Sequence, residues 1–143
     1  MKKKIKILIM GLPGSGKTTL SEALAPLLKA KRVNADEVRK KFNDWDFSKE
    51  GRIRQSKRMN EISNQEILKN NNVITDFICP TKLSRLEFKA DYIIWMNTIK
   101  EGRFNDTNKM FEKPTSEEFN YEVKTKDAEK YKSLILKDLE NFF

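Results

Sequence analysis

The stretch Gly11-Leu12-Pro13-Gly14-Ser15-Gly16-Lys17-Thr18 constrains this chain more than any other part of it. Its residues fall on every fixed position of the spacing G-x-x-x-x-G-K-[ST]. Before it, Ile5, Ile7, Leu8, Ile9 and Met10 read as a buried parallel strand; after it, Leu20, Ala23, Leu24 and Leu27 recur at helical spacing. A strand that turns through a glycine-rich loop into a helix brings successive backbone N–H groups onto one anion, and the helix N-terminus adds a favourable dipole. Polyphosphate is the natural guest. Donor contacts are therefore expected from Gly11, Pro13, Gly14, Ser15, Gly16, Lys17, Thr18 and Thr19, with ATP and Mg²⁺ as cofactors. In such loops the lysine reaches the β- and γ-phosphates and the following hydroxyl binds Mg²⁺, which gives those roles to Lys17 and Thr18. In the empty loop, Lys17 is expected to face solvent.

A length of 143 residues fits one domain spanning the whole chain, with room for one core and little for accessory modules. Hydrophobic residues at 38% and charged residues at 35% favour a folded α/β domain with a charged surface over a disordered chain. A formal charge of +8 favours anionic ligands without separating a nucleotide from a nucleic acid or an anionic membrane. Histidine is absent, which leaves Asp, Glu and Lys as the chief candidates for a proton acceptor. The single cysteine, Cys79, excludes an internal disulfide and a cysteine zinc cluster, in keeping with a reducing, cytoplasmic setting. Lys2-Lys3-Lys4 followed by apolar residues superficially resembles a signal peptide, but that run leads directly into the glycine-rich loop and is assigned to the fold. No apolar run approaches the roughly 20 residues of a membrane-spanning helix.

The remaining pattern predicts a P-loop NTPase fold: three α/β/α layers around a mostly parallel sheet. A helix is expected from about Thr18 to Lys29, kinked or stopped early by Pro26. A short strand at Arg32-Val33-Asn34 then delivers Asp36 to the sheet end where α/β proteins bind ligands. Asp36 also reads as an N-cap for the helix carrying Val38 and Phe42, and the two roles are compatible. A helix over Lys49 to Lys69 carries Arg52, Arg54, Lys57 and Arg58, mostly a solvated face by default, with some able to project towards a phosphate or sulfate. Val73 to Ile78 reads as a third strand whose Asp76 either holds Mg²⁺ through water or faces the core. Cys79 to Lys82 turns the chain, and Tyr92 to Met96 forms a fourth strand. Asn97 to Pro114 reads as a polar functional loop or lid, residues 120 to 123 as an edge strand, and Asp127 to Phe143 as a terminal helix.

Several stretches together resemble adenylylsulfate kinase, the family that phosphorylates the 3′-hydroxyl of adenosine 5′-phosphosulfate with MgATP. The family's Asp-Gly-Asp-x-Val-Arg signature is similar to Asn34-Ala35-Asp36-Glu37-Val38-Arg39, and its Leu-Gly-Phe-Ser to Trp45-Asp46-Phe47-Ser48. Its arginine-rich helix corresponds to Arg52 through Arg58, its Phe-Ile-Ser-Pro turn to Phe77-Ile78-Cys79-Pro80, and its lid to Phe104 and Phe111-Glu112-Lys113-Pro114. The resemblance spans most of residues 5 to 140. It implies Lys17 and Asp36 as catalytic residues, with Thr18, Asp36 and Asp76 around Mg²⁺. The acceptor side it implies comprises Arg39, Asn43, Phe47, Arg52, Gln55, Ile78, Cys79 and Phe104. Arg39 and Arg52 would meet the phosphosulfate, and Phe47 and Phe104 would sandwich the acceptor adenine. The chain departs from the family at Asn34, Gln55 and Cys79. Its lid is shorter and lacks the Arg-Asp element that covers ATP.

The expected partners are thus ATP and an anionic small-molecule acceptor, adenosine 5′-phosphosulfate first. No membrane partner is expected, and a homodimer is one assembly the reading allows. Two other functions compete: a nucleoside or polynucleotide 5′-hydroxyl kinase, mildly supported by the positive charge without making nucleic acid the favoured partner, and a non-catalytic nucleotide-binding module.

Overall fold

The structure, a computed structural model, describes residues 3–142. Met1, Lys2 and Phe143, the last of which the sequence assigns to the terminal helix, lie outside the described residues. Strands β1 (Lys6–Met10), β2 (Ala30–Asn34), β3 (Asn72–Asp76), β4 (Tyr92–Met96) and β5 (Tyr121–Val123) form one sheet in the order β2-β3-β1-β4-β5. Every pairing is parallel. The helices are α1 (Lys17–Leu28), α2 (Ala35–Phe42), α3 (Lys49–Leu68), α4 (Lys82–Phe88), α5 (Asn105–Met110) and α6 (Ala128–Phe142).

Strand β1 lies at the centre of the sheet and is buried along its whole length. Its alternate side chains serve two cores, as the two-residue period of a strand requires. Ile7 and Ile9 pack with Leu20 and Leu24 of α1 and Ile135 and Leu139 of α6. Leu8 and Met10 pack on the other face with Val38 of α2, Met59 of α3 and Phe88 of α4. Each such side chain contributes about 1.5–3 kcal/mol by leaving water. The result is the expected three-layer α/β/α arrangement. Among the described residues, no helix is long and apolar enough to cross a membrane.

The winding of the sheet fixes where a ligand can enter. After β1 the chain crosses one face through α1, and after β3 it crosses the other through α4. A crevice opens where adjacent parallel strands send their connections to opposite faces, at the carboxyl ends of the strands. Here that point lies between β1 and β3, which bracket the glycine-rich loop on one side and Asp76 on the other.

Several sequence expectations need correction. Pro26 neither stops α1 nor marks its end: the helix continues to Leu28 and closes with Lys29 in the left-handed conformation. A proline so near the C-terminus removes only one of the last helical bonds. Strand β2 starts at Ala30, two residues before the expected Arg32. Asp76 ends β3, which does not run on to Ile78. The N-cap of α2 is Asn34, whose Oδ1 accepts from the Glu37 backbone N–H at 3.1 Å; Asp36 sits inside the first turn. Two short helices were not expected. One is α4, started by a reciprocal Thr81–Ser84 capping box, and the other is α5, within the polar segment read as a lid.

Candidate active site

A cavity of about 770 Å³ opens at the carboxyl edge of the sheet, and loops following all five strands contribute to its wall. That volume lies within the usual range for small-molecule sites. On the β1 side Pro13, Gly14, Gly16, Lys17, Thr18 and Thr19 line it. Gly16 caps α1 at φ 101°, a left-handed conformation that favours glycine, so the tight turn into the helix depends on it. Ser15 and Gly11 do not line the cavity. Ser15 is buried behind the loop and its carbonyl accepts from Thr98 Oγ1 at 2.7 Å, which ties the loop to the segment after β4. Gly11 lies against Met96 of β4.

Lys17 does not face solvent. Its Nζ folds back onto the loop and donates to the carbonyls of Gly11 and Leu12, both at 2.9 Å. Burial pulls its pKa down to about 8, opposed by the nearby charges of Asp76 and Asp36. A loop of this shape concentrates N–H groups and carbonyls alike, and the ammonium takes the carbonyls.

The two carboxylates stand in different environments. Asp76 is only 2% exposed, and both of its oxygens are engaged: Ser21 Oγ donates to Oδ2 at 2.6 Å and Asn34 Nδ2 donates to Oδ1 at 2.7 Å. The Arg32 guanidinium stands 3.6 Å away. Burial raises the Asp76 pKa, while Ser21, Asn34, Arg32 and Lys17 oppose that rise. Asn34 Nδ2 also reaches Thr18 Oγ1 at 3.2 Å, so one amide links the loop hydroxyl to the end of β3. Only a side chain that both donates and accepts can cap α2 and hold Asp76 together, and an aspartate there would set two anions side by side. Asp36 is exposed and lines the cavity one residue into α2 after Ala35.

On the opposite wall the cavity is bounded by Arg39, Phe47, Arg52, Gln55, Ile78, Cys79 and Phe104. Phe47 is 52% exposed and Phe104 56% exposed, both facing this one cavity. Arg39 is buried; its Nη1 donates to the Asp44 and Asp46 carbonyls at 2.9 and 3.2 Å, and its guanidinium lies 4.2 Å from the Phe47 ring centre. One face of Phe47 is therefore backed by a cation. Arg52 donates from Nε to the Phe47 carbonyl at 2.8 Å and from Nη2 to Thr107 Oγ1 of α5 at 2.8 Å, joining the aromatic loop to the lid. Gln55 Nε2 donates to the Ala35 carbonyl at 3.0 Å, while its buried Oε1 has no hydrogen-bond partner among the described residues. Cys79 is buried, and burial pushes its thiol up to about 12; its sulfur is no nucleophile at neutral pH. Asn43 is not brought to the cavity. It is exposed at the end of α2, in a left-handed turn with φ 47°.

The basic face of α3 is not simply solvated. Arg54 and Arg58 both pair with Asp44, at 2.8 and 2.6 Å, and Arg54 also reaches Asp46 at 3.1 Å. These pairs draw the carboxyl of Asp44 well below the usual range and fasten the loop that presents Phe47. The loop lies so close to α3 that a Cβ on Gly51 would fall 2.1 Å from the Asp46 carbonyl oxygen. Gly51→Ala is therefore expected to cost about 1–3 kcal/mol of stability through overpacking and to displace the Phe47 loop. The acceptor KM should rise about tenfold on that energy scale while nucleotide affinity is kept. Thermal unfolding together with separate titrations of the two substrates checks both parts.

Sequence reasoning missed several wall residues. Ser56, Arg103, Asp106, Thr107 and Lys126 line the cavity, and Ser21 and Arg32 hold Asp76. Ser56 lies one helical turn after Arg52 on α3 and was within reach of helical periodicity. Lys126 follows the three-residue edge strand β5 and carries no motif.

The comparisons with known proteins bear on this geometry. A family model described as adenylylsulphate kinase matches residues 3–119. A search of curated protein sequences gives no significant match. Among solved structures, the Mycobacterium tuberculosis APS kinase CysC, in complex with AMPPNP and APS, is similar with a TM-score of 0.78 at 15% identity, over 97% of this chain and 99% of that one. A sugar kinase from a Janibacter species aligns with a TM-score of 0.77 at 15% identity, over 96% and 95% of the two chains. Shikimate kinase from Acinetobacter baumannii gives 0.65 at 20% identity, over 96% and 94%. At these identities the structural likenesses speak for the fold. The family match covers most of the chain, residues 3–119, and on that ground this protein belongs to the adenylylsulfate kinase family of P-loop phosphotransferases.

Proposed function

We propose that this chain transfers the γ-phosphoryl group of MgATP to the 3′-hydroxyl of adenosine 5′-phosphosulfate. The observation that carries the reading is the pairing of a phosphate loop with two exposed aromatic rings, Phe47 and Phe104, on the walls of one cavity. Large exposed rings flanked by arginines suit a flat base bearing an anionic tail, whereas a small polyol would leave them wet. The unpartnered Gln55 Oε1 adds an acceptor for an amino or hydroxyl group of such a ligand.

Lys17 would leave the Gly11 and Leu12 carbonyls and follow the transferring phosphoryl group, neutralising the charge that spreads over its oxygens. Asp36, exposed on the wall between loop and acceptor side, would orient the attacking hydroxyl and accept its proton as the new P–O bond forms and ADP leaves. Among the described residues, no three histidine, cysteine or carboxylate side chains form a metal cluster. Mg²⁺ in phosphoryl-transfer sites takes one or two protein oxygens and completes its shell with phosphate and water. Thr18 would hold it directly, with Asp36 and Asp76 nearby, and when bound it supplies charge neutralisation on the β- and γ-phosphates.

Parallel assays of ADP release from MgATP with adenosine phosphosulfate, nucleosides and 5′-hydroxyl oligonucleotides test the reading. It expects adenosine phosphosulfate to give the highest kcat/KM; preference for another acceptor would transfer the site to that substrate. Phe47→Ala and Phe104→Ala should each weaken the acceptor by roughly 1 to 3 kcal/mol, the scale of base–aromatic stacking, and change ATP affinity much less. Titrating each variant with acceptor and with MgADP separately checks this.

A further inference from the structure

We propose that Lys126, on the loop between β5 and α6, is a phosphate contact for the donor nucleotide, supplying from a fixed turn a second cation that faces the phosphate loop. The inference rests on reading the cavity as a kinase donor site, and assigns within it a residue that no motif marks.

Lys126 lines the same cavity as Gly16, Lys17 and Thr18, and its stem comes within 3.9 Å of where a Cβ on Gly16 would stand. Its exposed ammonium makes no ion pair among the described residues. The neighbouring Asp127 makes no ion pair with it; its Oδ1 accepts from the Lys130 backbone N–H at 3.1 Å and caps the first turn of α6. The turn that carries Lys126 is held at several points. The Val123 carbonyl accepts from Asn97 N at 2.8 Å, Lys124 N donates to Tyr131 Oη at 3.3 Å, and Asp127 N donates to the Thr125 carbonyl at 3.0 Å. Tyr131 is itself packed in the core. A lysine on such a support presents its charge to the loop at little ordering cost, unlike one on a mobile lid. The other cations on the wall stand elsewhere: Arg39 and Arg52 brace the aromatic loop and α5 on the acceptor side, and Arg103 lies beside the Phe104 ring in the segment after β4. Two positive groups, Lys17 and Lys126, would then bracket a polyphosphate whose charge exceeds what one lysine can offset.

The test uses the full chain with Lys126→Gln and Lys126→Arg, titrated calorimetrically with MgADP and with magnesium tripolyphosphate, which carries phosphate without a base. Loss of a charge-assisted hydrogen bond should raise the Kd of Lys126→Gln for both ligands about tenfold, while Lys126→Arg stays within about threefold. The acceptor KM and the melting temperature should stay at wild-type values. Lys126→Gln binding both ligands as wild type overturns the assignment, and so does a loss confined to MgADP, which would point to the base or ribose. Wild-type protein that binds neither ligand would overturn the kinase reading of the cavity as well, which separates the two failures.

Discussion

Lys17→Ala is expected to lower turnover by at least ~10²-fold with the fold intact, the scale on which preorganised charge stabilises a transferring phosphoryl group. The side chain makes its two hydrogen bonds within its own loop, to the Gly11 and Leu12 carbonyls. Gly11 and Leu12 are buried, so leaving a carbonyl there unpaired costs about 1–3 kcal/mol, less than the roughly 5–15 kcal/mol by which a domain is usually stable. Burial already draws the lysine down to about 8, and the charged form is held partly by Asp76 and Asp36. A γ-phosphate entering the loop restores a full counter-charge. Steady-state kinetics with ATP as donor, alongside circular dichroism and thermal unfolding, measures the effect. Near-normal turnover in the variant would remove the phosphate-loop mechanism.

Asp36→Asn should likewise cost about 10²-fold in turnover, within the range for a positioned proton acceptor, and weaken MgATP binding much less. With no histidine in the chain, a carboxylate is the plausible acceptor of the hydroxyl proton, and the two near the loop differ in freedom. Both oxygens of Asp76 are occupied by Ser21 and Asn34, and the residue is buried at the end of β3. Asp36 is exposed on the cavity wall. Asp76→Asn should therefore act chiefly on the packing of Ser21, Arg32 and Asn34 and on the Thr18 hydroxyl, and so on metal and nucleotide binding. Hydroxyl attack in a loose transition state depends more on orientation than on strong deprotonation, so a moderate loss still supports the role. Single-turnover assays of both variants decide between them: a transfer defect confined to Asp76→Asn contradicts the assignment.

The fold was legible because its strongest signals are local. The run Ile7 to Met10, the glycine spacing and the heptad-like apolar positions of α1 state their own partners within a few residues. Helix α4 was not legible, because its seven residues carry a buried Arg85 and two exposed leucines, Leu83 and Leu86, in place of an apolar face. Arg85 belongs there for a tertiary reason: it donates to the Cys79, Pro80 and Glu112 carbonyls and pairs with Glu118 at 3.0 Å. The N-cap was misassigned because Asn34 and Asp36 are both good caps, and only the pairing of β2 with β3 brings Asn34 to Asp76. Motif resemblance brought Phe47, Phe104, Arg39 and Arg52 to attention. It carried nothing about the backing of Phe47 by Arg39, the fastening of its loop through Asp44, or Lys126. The first two follow from how the loop between α2 and α3 folds back on both helices, and the third from a contact across most of the chain.

The most direct measurement follows the labelled phosphoryl group itself. The protein is mixed with MgATP labelled at the γ-phosphate and with adenosine 5′-phosphosulfate, and the products are separated and identified by mass spectrometry and phosphorus NMR. The account predicts one labelled phosphate on the 3′-oxygen of the acceptor, in equal amount to the ADP released. Label appearing only as inorganic phosphate, or ATP left unchanged with the acceptor intact, would contradict it.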